Sequence, residues 1–254
     1  VRLNDYGGQM MPDTQRVPLT VESWGWSRQG SACAENQDAF LNWPEYLLWA
    51  VADGMGGGEQ GGFASKLVAN SLMHVPRPES LDSHIDIVKR ILGASNKQLR
   101  SVSDTLGISA CTIVVLLVHN GSAACVWSGD SRCYLLRDDI LYLCTRDHTV
   151  RQRKIDNKEL TIHEARRMVQ SNVITRAIGS SDTLQLESVR FNLRLGDRFL
   201  LCSDGLSNVV SPEILSRFLG RPRAMDAALS IKASLDGLEQ QDDATCVTVF
   251  LSGT

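Results

Sequence analysis

Short apolar runs separated by turn-forming residues dominate the chain. They fall at residues 46–52, 112–118, 123–127, 133–136, 140–144, 198–202 and 245–251, and are rich in Val, Ile, Leu and aromatics. Runs of this length and composition predict strands. Asn120-Gly121 is a strong hairpin signal, and Asp138-Asp139 and Leu195-Gly196-Asp197 are further turns. Turns this short join antiparallel neighbours, because parallel strands need long crossovers. Helical periodicity falls between the strands. Ile85, Val88, Leu92 and Leu99 share one face of a helix over about 83–102, and Ala228, Ile231, Leu235 and Leu238 do the same near the C-terminus. A further helix is expected over 63–73. Thr161 and Glu164 have capping-box spacing, and Ser211-Pro212 reads as an N-cap followed by a first-turn Pro. Antiparallel sheet with separate helices predicts an α+β layered sandwich. Residues 1–18 carry Pro12 and Pro18 and read as a polar tail. No repeat or low-complexity linker follows, so 19–254 reads as a single domain.

Composition narrows the class. The 254 residues include 29 acidic and 26 basic side chains, a formal net charge of −3, with 43% hydrophobic and 22% charged residues. These values exclude intrinsic disorder and a coiled coil. No basic block marks a nucleic-acid or anionic-membrane partner. No apolar stretch approaches the roughly 20 residues of a membrane span. The chain opens on Val1 rather than Met, which fits an excised domain or a processed product. Its seven cysteines are odd in number and lack any Cys-x-x-Cys spacing. They argue against a disulfide framework or zinc finger and for a reducing compartment, expected to be the cytoplasm.

The candidate chemistry lies where aspartates meet strand ends. The 46–52 run leads into Asp53-Gly54, and 198–202 leads through Ser203 into Asp204-Gly205. The 123–127 run leads into Gly129-Asp130, Asp242-Asp243 stands just before the last run, and Asp38 precedes the first. A single Asp-Gly after a strand is an ordinary turn. Four or five such carboxylates gathered together would repel one another, so their convergence implies a hard divalent ion with oxygen ligands. The segment 53–62 also contains Gly56-x-Gly58-x-x-Gly61, the spacing of a dinucleotide fingerprint. Its context is wrong, because no second apolar strand follows the next helix. No Gly-x-Ser-x-Gly elbow or HExxH pair occurs, and His148, near a strand end, reads as structural.

In order along the chain stand Asn36-Gln37-Asp38, Asp53-Gly54-Met55-Gly56-Gly57, Gly129-Asp130-Ser131-Arg132-x-Tyr134 and Thr145-x-Asp147-His148. Ile174-Thr175-Arg176-Ala177-Ile178-Gly179, Leu201-Cys202-Ser203-Asp204-Gly205-Leu206 and Asp242-Asp243-x-Thr245 follow. This ordered set resembles the metal-dependent serine/threonine protein phosphatases, the PPM or type 2C family, over about residues 22–251, and its Asp-Gly-Met-Gly-Gly form resembles the bacterial members. No single piece is specific; the ordered set is.

The resemblance implies a four-layer α-β-β-α sandwich with two central, mainly antiparallel sheets. It implies two Mn²⁺ or Mg²⁺ ions and a catalytic set of Asp38, Asp53, Asp204 and Asp242. Asp53 would bridge both ions and the Gly54 carbonyl would bind one. Asp204 and Asp242 would bind the other, and Asp38 would hold a metal or its water. Asp130, with Asp204, matches a third metal site, and residues 150–181 would form a mobile flap. The implied activity is hydrolysis of phospho-Ser/Thr proteins by a metal-activated water, in a monomer that opposes a bacterial Ser/Thr kinase. The wording of residues 48–57 also resembles phosphatases that regulate type VI secretion.

Three positions depart from the family pattern. Met55 stands where eukaryotic members carry a His. Cys33 replaces an Arg that grips substrate phosphate, with Arg28, Arg132 and Arg176 as candidate substitutes. Asp243 replaces the usual Asn, with little effect expected. The loss at Cys33 leaves a competing expectation, a catalytically impaired binding or regulatory module of the same fold.

Overall fold

The computed structural model describes residues 2–3, 19–32, 34–56, 59–107, 109–165, 173–238 and 242–253. Cys33, Gly57, Gly58, most of the 1–18 tail and residues 166–172 of the expected flap lie outside the described residues.

The strands are β1 (Arg2–Leu3), β2 (Leu19–Arg28), β3 (Asp38–Trp43), β4 (Leu48–Gly56), β5 (Ser109–Cys111) and β6 (Ile113–His119). They continue with β7 (Ser122–Ser128), β8 (Arg132–Arg137), β9 (Ile140–Leu143), β10 (Glu187–Asn192), β11 (Arg198–Cys202) and β12 (Ala244–Gly253). The helices are α1 (Gln60–Leu72), α2 (Leu81–Leu106), α3 (Val150–Asp156), α4 (Ile162–Ala165), α5 (Asp204–Ser207), α6 (Pro212–Leu219) and α7 (Ala224–Ala233). One sheet runs β1-β9-β8-β11-β12-β2 and the second β10-β7-β6-β4-β3, with β5 on the end of β4. Among the described residues every pairing is antiparallel except β1 with β9.

Side-chain alternation along the strands builds three stacked cores. In β6, Ile113, Val115 and Leu117 pack with α1 and α2, whereas Val114, Leu116 and Val118 face the other sheet. In β12, Cys246 and Phe250 face α6 and α7, whereas Val247, Val249 and Leu251 face inward. A strand covered on both faces reads as an unbroken apolar run, which is why these strands were legible. The layers are therefore helix, sheet, sheet, helix, as expected.

The turn chemistry holds as well. Asn120 and Gly121 both take positive φ, 45° and 77°, and Asp138 and Asp139 take 50° and 59°, the geometry of a type I′ hairpin. Ser211 Oγ caps the Ile214 amide. Thr161 and Glu164 close the reciprocal capping box, with Thr161 N–H on Glu164 Oε2 at 2.8 Å and Glu164 N–H on Thr161 Oγ1 at 3.2 Å.

Several boundaries differ from expectation; the helices expected over 63–73 and 83–102 run Gln60–Leu72 and Leu81–Leu106. The first apolar run begins at Leu48, because Pro44–Tyr46 turn as a 3₁₀ segment. The C-terminal helix lies at Ala224–Ala233, and Leu235 and Leu238 follow it in a turn. No helix among the described residues is long and apolar enough to cross a membrane.

Candidate active site and metal centre

Asp38 opens β3 and is the direct cross-strand partner of Asp53 in β4. The strands are antiparallel, so the start of one meets the far end of the other and a single sheet end carries both carboxylates. Thr112 clamps the Asp53 backbone, accepting its N–H at 3.2 Å on Oγ1 and donating its own N–H to the Asp53 carbonyl at 2.8 Å. Asp38 is buried. Its Oδ2 accepts from Ser203 Oγ at 2.7 Å, and Ser203 Oγ in turn accepts from the Thr245 N–H at 3.0 Å. Ser203 and Thr245 belong to the β11–β12 end of the other sheet, so this relay ties the two sheets together at the site. Gly54 has no room for a side chain, because a Cβ would lie 2.1 Å from the Gly61 carbonyl oxygen and 2.6 Å from that of Gln37.

The first sheet supplies Asp204, which follows β11 and begins α5, and Asp242, just before β12. Asn208 Nδ2 donates to Asp204 Oδ2 at 3.1 Å. Asp130 follows β7 through Gly129, where a φ of 114° and the position of Thr112, whose Cβ would lie 2.5 Å from any added Cβ, both require glycine. His148 Nδ1 accepts the Gly129 N–H at 3.1 Å, and the Gly129 carbonyl accepts the His148 N–H at 2.9 Å. The structural reading of His148 is thus correct: it holds the turn that presents Asp130. Its burial lowers its pKa, keeping the ring neutral and Nδ1 free to accept.

Electrostatics show that the five aspartates share one field. Burial raises Asp53 well above the usual carboxylate range, and Asp38, Asp204, Asp130 and Asp242 each push it further. Burial lifts Asp38 to about 7, helped by Asp243 and Asp204. Asp130 also rises to about 7, through burial and then Asp204 and Asp147. Asp204 is raised by burial and then by Asp242. Among the described residues no group of three or more His, Cys, Asp or Glu side chains stands close enough together to hold a metal ion.

The donor set nevertheless fits hard divalent cations. It consists of oxygens, and buried Asp130 Oδ1 has no hydrogen-bond partner. The nearby cation, Arg132, is engaged elsewhere, because Asp147 grips its guanidinium at 3.0 and 2.6 Å.

Sequence reasoning missed the second tier of this site. Thr112 is hidden in an apolar run, and Ser203 and Thr245 stand inside the family motifs without any sign of the role they play. The three arginines offered as substitutes at position 33 all have acidic partners: Arg28 with Asp236 at 2.9 Å, Arg132 with Asp147, and Arg176 with Glu187 at 2.6 Å. Lys66 instead lines an open cleft of about 460 Å³ with Ser27, Glu35, Asn36, Asp38 and Phe40. The glycine fingerprint does not mark a dinucleotide site. From β4 the chain passes through α1 and α2 into β5 and β6, which pair antiparallel to β4, so no parallel βαβ unit exists there.

Comparison with known proteins shows the family of the chain. Residues 28–237 match the family described as protein phosphatase 2C. The serine/threonine protein phosphatase PstP of Mycobacterium tuberculosis is 34% identical over 217 residues, which are 84% of this chain and 41% of PstP. The chain thus spans about two fifths of that relative's length. Among solved structures, PppA, a key regulatory component of T6SS in Pseudomonas aeruginosa, superposes with a TM-score of 0.85 at 32% identity, covering 92% of this chain and 99% of that one. The catalytic domain of PstP in complex with two manganese ions superposes with a TM-score of 0.81 at 29% identity, covering 92% and 100%. None of these relatives favours the non-catalytic alternative. The chain is a bacterial-type member of the protein phosphatase 2C family, the PPM phosphatases.

Proposed function

We propose that this chain is a metal-dependent phosphatase acting on phosphoserine and phosphothreonine in proteins. The observation that carries the reading is the position of Asp53, half-buried in β4 directly across from Asp38 and within the electrostatic reach of Asp130, Asp204 and Asp242. The two manganese ions in the PstP catalytic domain support two divalent ions here. Asp53 would hold both, with the Gly54 carbonyl on one, Asp204 and Asp242 on the other, and Asp38 on a metal or its water. Asp130 with Asp204 would hold a third. When bound, such ions acidify water toward neutral pH and offset the charge that builds on phosphoryl oxygens.

The chain's own residues supply position. Ser203 fixes the Asp38 carboxylate, Thr112 fixes the Asp53 backbone, and His148 fixes the turn below Asp130. No side-chain nucleophile is needed, because phosphoryl transfer to water depends on alignment and electrostatics.

The likeness to PppA, a key regulatory component of T6SS, supports a role in T6SS control. We further propose that the chain opposes a Ser/Thr kinase as a cytoplasmic monomer acting on phosphoproteins and not on nucleic acid. Aryl-phosphate hydrolysis tests the enzymatic reading. Turnover should require Mn²⁺ or Mg²⁺, stop with chelator, and fall at least about 100-fold in Asp204→Asn. A fully active Asp204→Asn protein would refute the ligand assignment.

A further inference from the structure

We infer that Asp243 is a positioning residue for the active site, acting through the backbone of the segment that leads into Asp38. Asp243 is 4% exposed, and its carboxylate uses both oxygens on protein donors. Oδ1 accepts the Gly30 N–H at 2.8 Å and Oδ2 accepts the Gln37 N–H at 2.7 Å. Gly30 and Gln37 stand at the two ends of the connection between β2 and β3, so one carboxylate staples that connection shut.

The Gln37 peptide is held from its other side too. Its carbonyl accepts the Gly54 N–H at 3.1 Å and the Ser65 hydroxyl. Hydrogen bonds therefore run from residue 243 through residue 37 to residue 54, from the neighbour of Asp242 to the neighbours of Asp38 and Asp53. Gly205 completes the contact set: a Cβ there would lie 2.0 Å from the Asp243 carbonyl oxygen, so the turn that carries Asp204 rests on residue 243 as well. Asp242 thus adjoins Asp243 itself, and Asp38, Asp53 and Asp204 each adjoin a residue in contact with Asp243 or with its partner Gln37.

The choice of a carboxylate follows from the donors. Two N–H groups converge, and only a carboxylate accepts on both oxygens, with bonds strengthened by its charge. An amide would turn an NH₂ toward one of them. The adjacent aspartates divide the work: Asp242 is exposed toward the cluster, whereas Asp243 spends its charge inside the protein. The small effect expected for an Asp at this position does not fit that geometry.

The inference rests on the phosphatase reading only for its catalytic consequence, so the test includes readouts that do not need turnover. Asp243→Asn and Asp243→Ala are compared with the wild-type chain for Mn²⁺ affinity by calorimetry, amide exchange at Gly30 and Gln37, and KM and kcat with an aryl phosphate. Asp243→Ala should weaken Mn²⁺ binding about 10-fold or more, the usual effect of losing a group that orients metal ligands, and should accelerate exchange at both amides. Asp243→Asn, with one acceptor left, should fall between. Should the Ala variant not fold, the Asn variant decides. Mn²⁺ affinity and both exchange rates unchanged, with only the melting temperature lowered, would make Asp243 a purely structural residue and overturn the inference. A wild-type chain that binds Mn²⁺ without hydrolysing phosphate would count against the phosphatase reading while leaving the binding and exchange comparison decisive.

Discussion

Asp38 and Asp53 sit directly opposite each other on adjacent antiparallel strands, two acids where a sheet ordinarily avoids placing like charges face to face. On the proposed metal reading, the arrangement should destabilise the bare fold until cations neutralise it. Asp53→Asn should therefore raise the melting temperature in chelator while abolishing the stabilisation that Mn²⁺ gives the wild type. Scanning calorimetry with and without metal checks both halves; a lower melting temperature in chelator would contradict the repulsion argument.

The pH dependence of the metal-free chain follows with a definite sign. Asp38 and Asp130 hold their protons up to about 7 in the folded state, against 3.8 when unperturbed. Between those values the folded chain binds more protons than the unfolded one, so stability falls as pH rises from the unfolded pKa through the folded one. Melting temperature in chelator should decline across that window, and saturating Mn²⁺ should restore stability most at its upper end. A metal-free melting temperature that rises from pH 5 to pH 7.5 would count against these assignments.

Gly54→Ala would force a methyl group into space already filled by the Gly61 and Gln37 carbonyl oxygens. Overpacking of this kind costs about 1–3 kcal/mol. Here it would also push the β4 end away from α1, so Mn²⁺ affinity should fall together with denaturation midpoint.

Away from the site, Arg137 and Asp197 form a buried pair with two contacts of 2.7 and 2.6 Å, and Arg137 also donates to the Asn192 carbonyl. Arg137→Met strands a buried carboxylate and should cost about 3–5 kcal/mol in urea unfolding. Mn²⁺ affinity of the folded fraction should stay unchanged, which separates this residue from the aspartate cluster.

Lys66 is the cation lining the cleft beside Asp38, while Arg28, Arg132 and Arg176 are committed to acidic partners. Lys66→Glu should raise KM for a phosphopeptide severalfold with little change in kcat, measured by phosphate release.

Much of this fold was legible because its central strands are covered on both faces. β6, β7, β11 and β12 read as plain apolar runs, and the Asn120-Gly121 turn identified its hairpin. β2, β3 and β10 escaped for the opposite reason. They lie at sheet edges, where half-exposed positions admit Glu22, Ser23, Asn42 and Arg190 among the apolar ones. In the site, the aspartates stood out because each interrupts an apolar run at its end. Their mutual arrangement did not, since register alone places Asp38 against Asp53. The supporting hydroxyls of Thr112 and Ser203 were also hidden, because a polar residue at a strand end has many uses. The contacts of Asp243 were hidden for the same reason: the sequence shows a second acid beside Asp242, but only the fold reveals the two amides it holds.

Calorimetric titration of the purified, metal-stripped chain with Mn²⁺, alongside Asp53→Asn, tests the account most directly. The wild type should bind at least two ions per chain at pH 7.5, and Asp53→Asn should lose this binding while remaining folded. No Mn²⁺ binding by the folded wild type, or equal binding by both proteins, would contradict the assignment of the aspartate cluster as the metal centre.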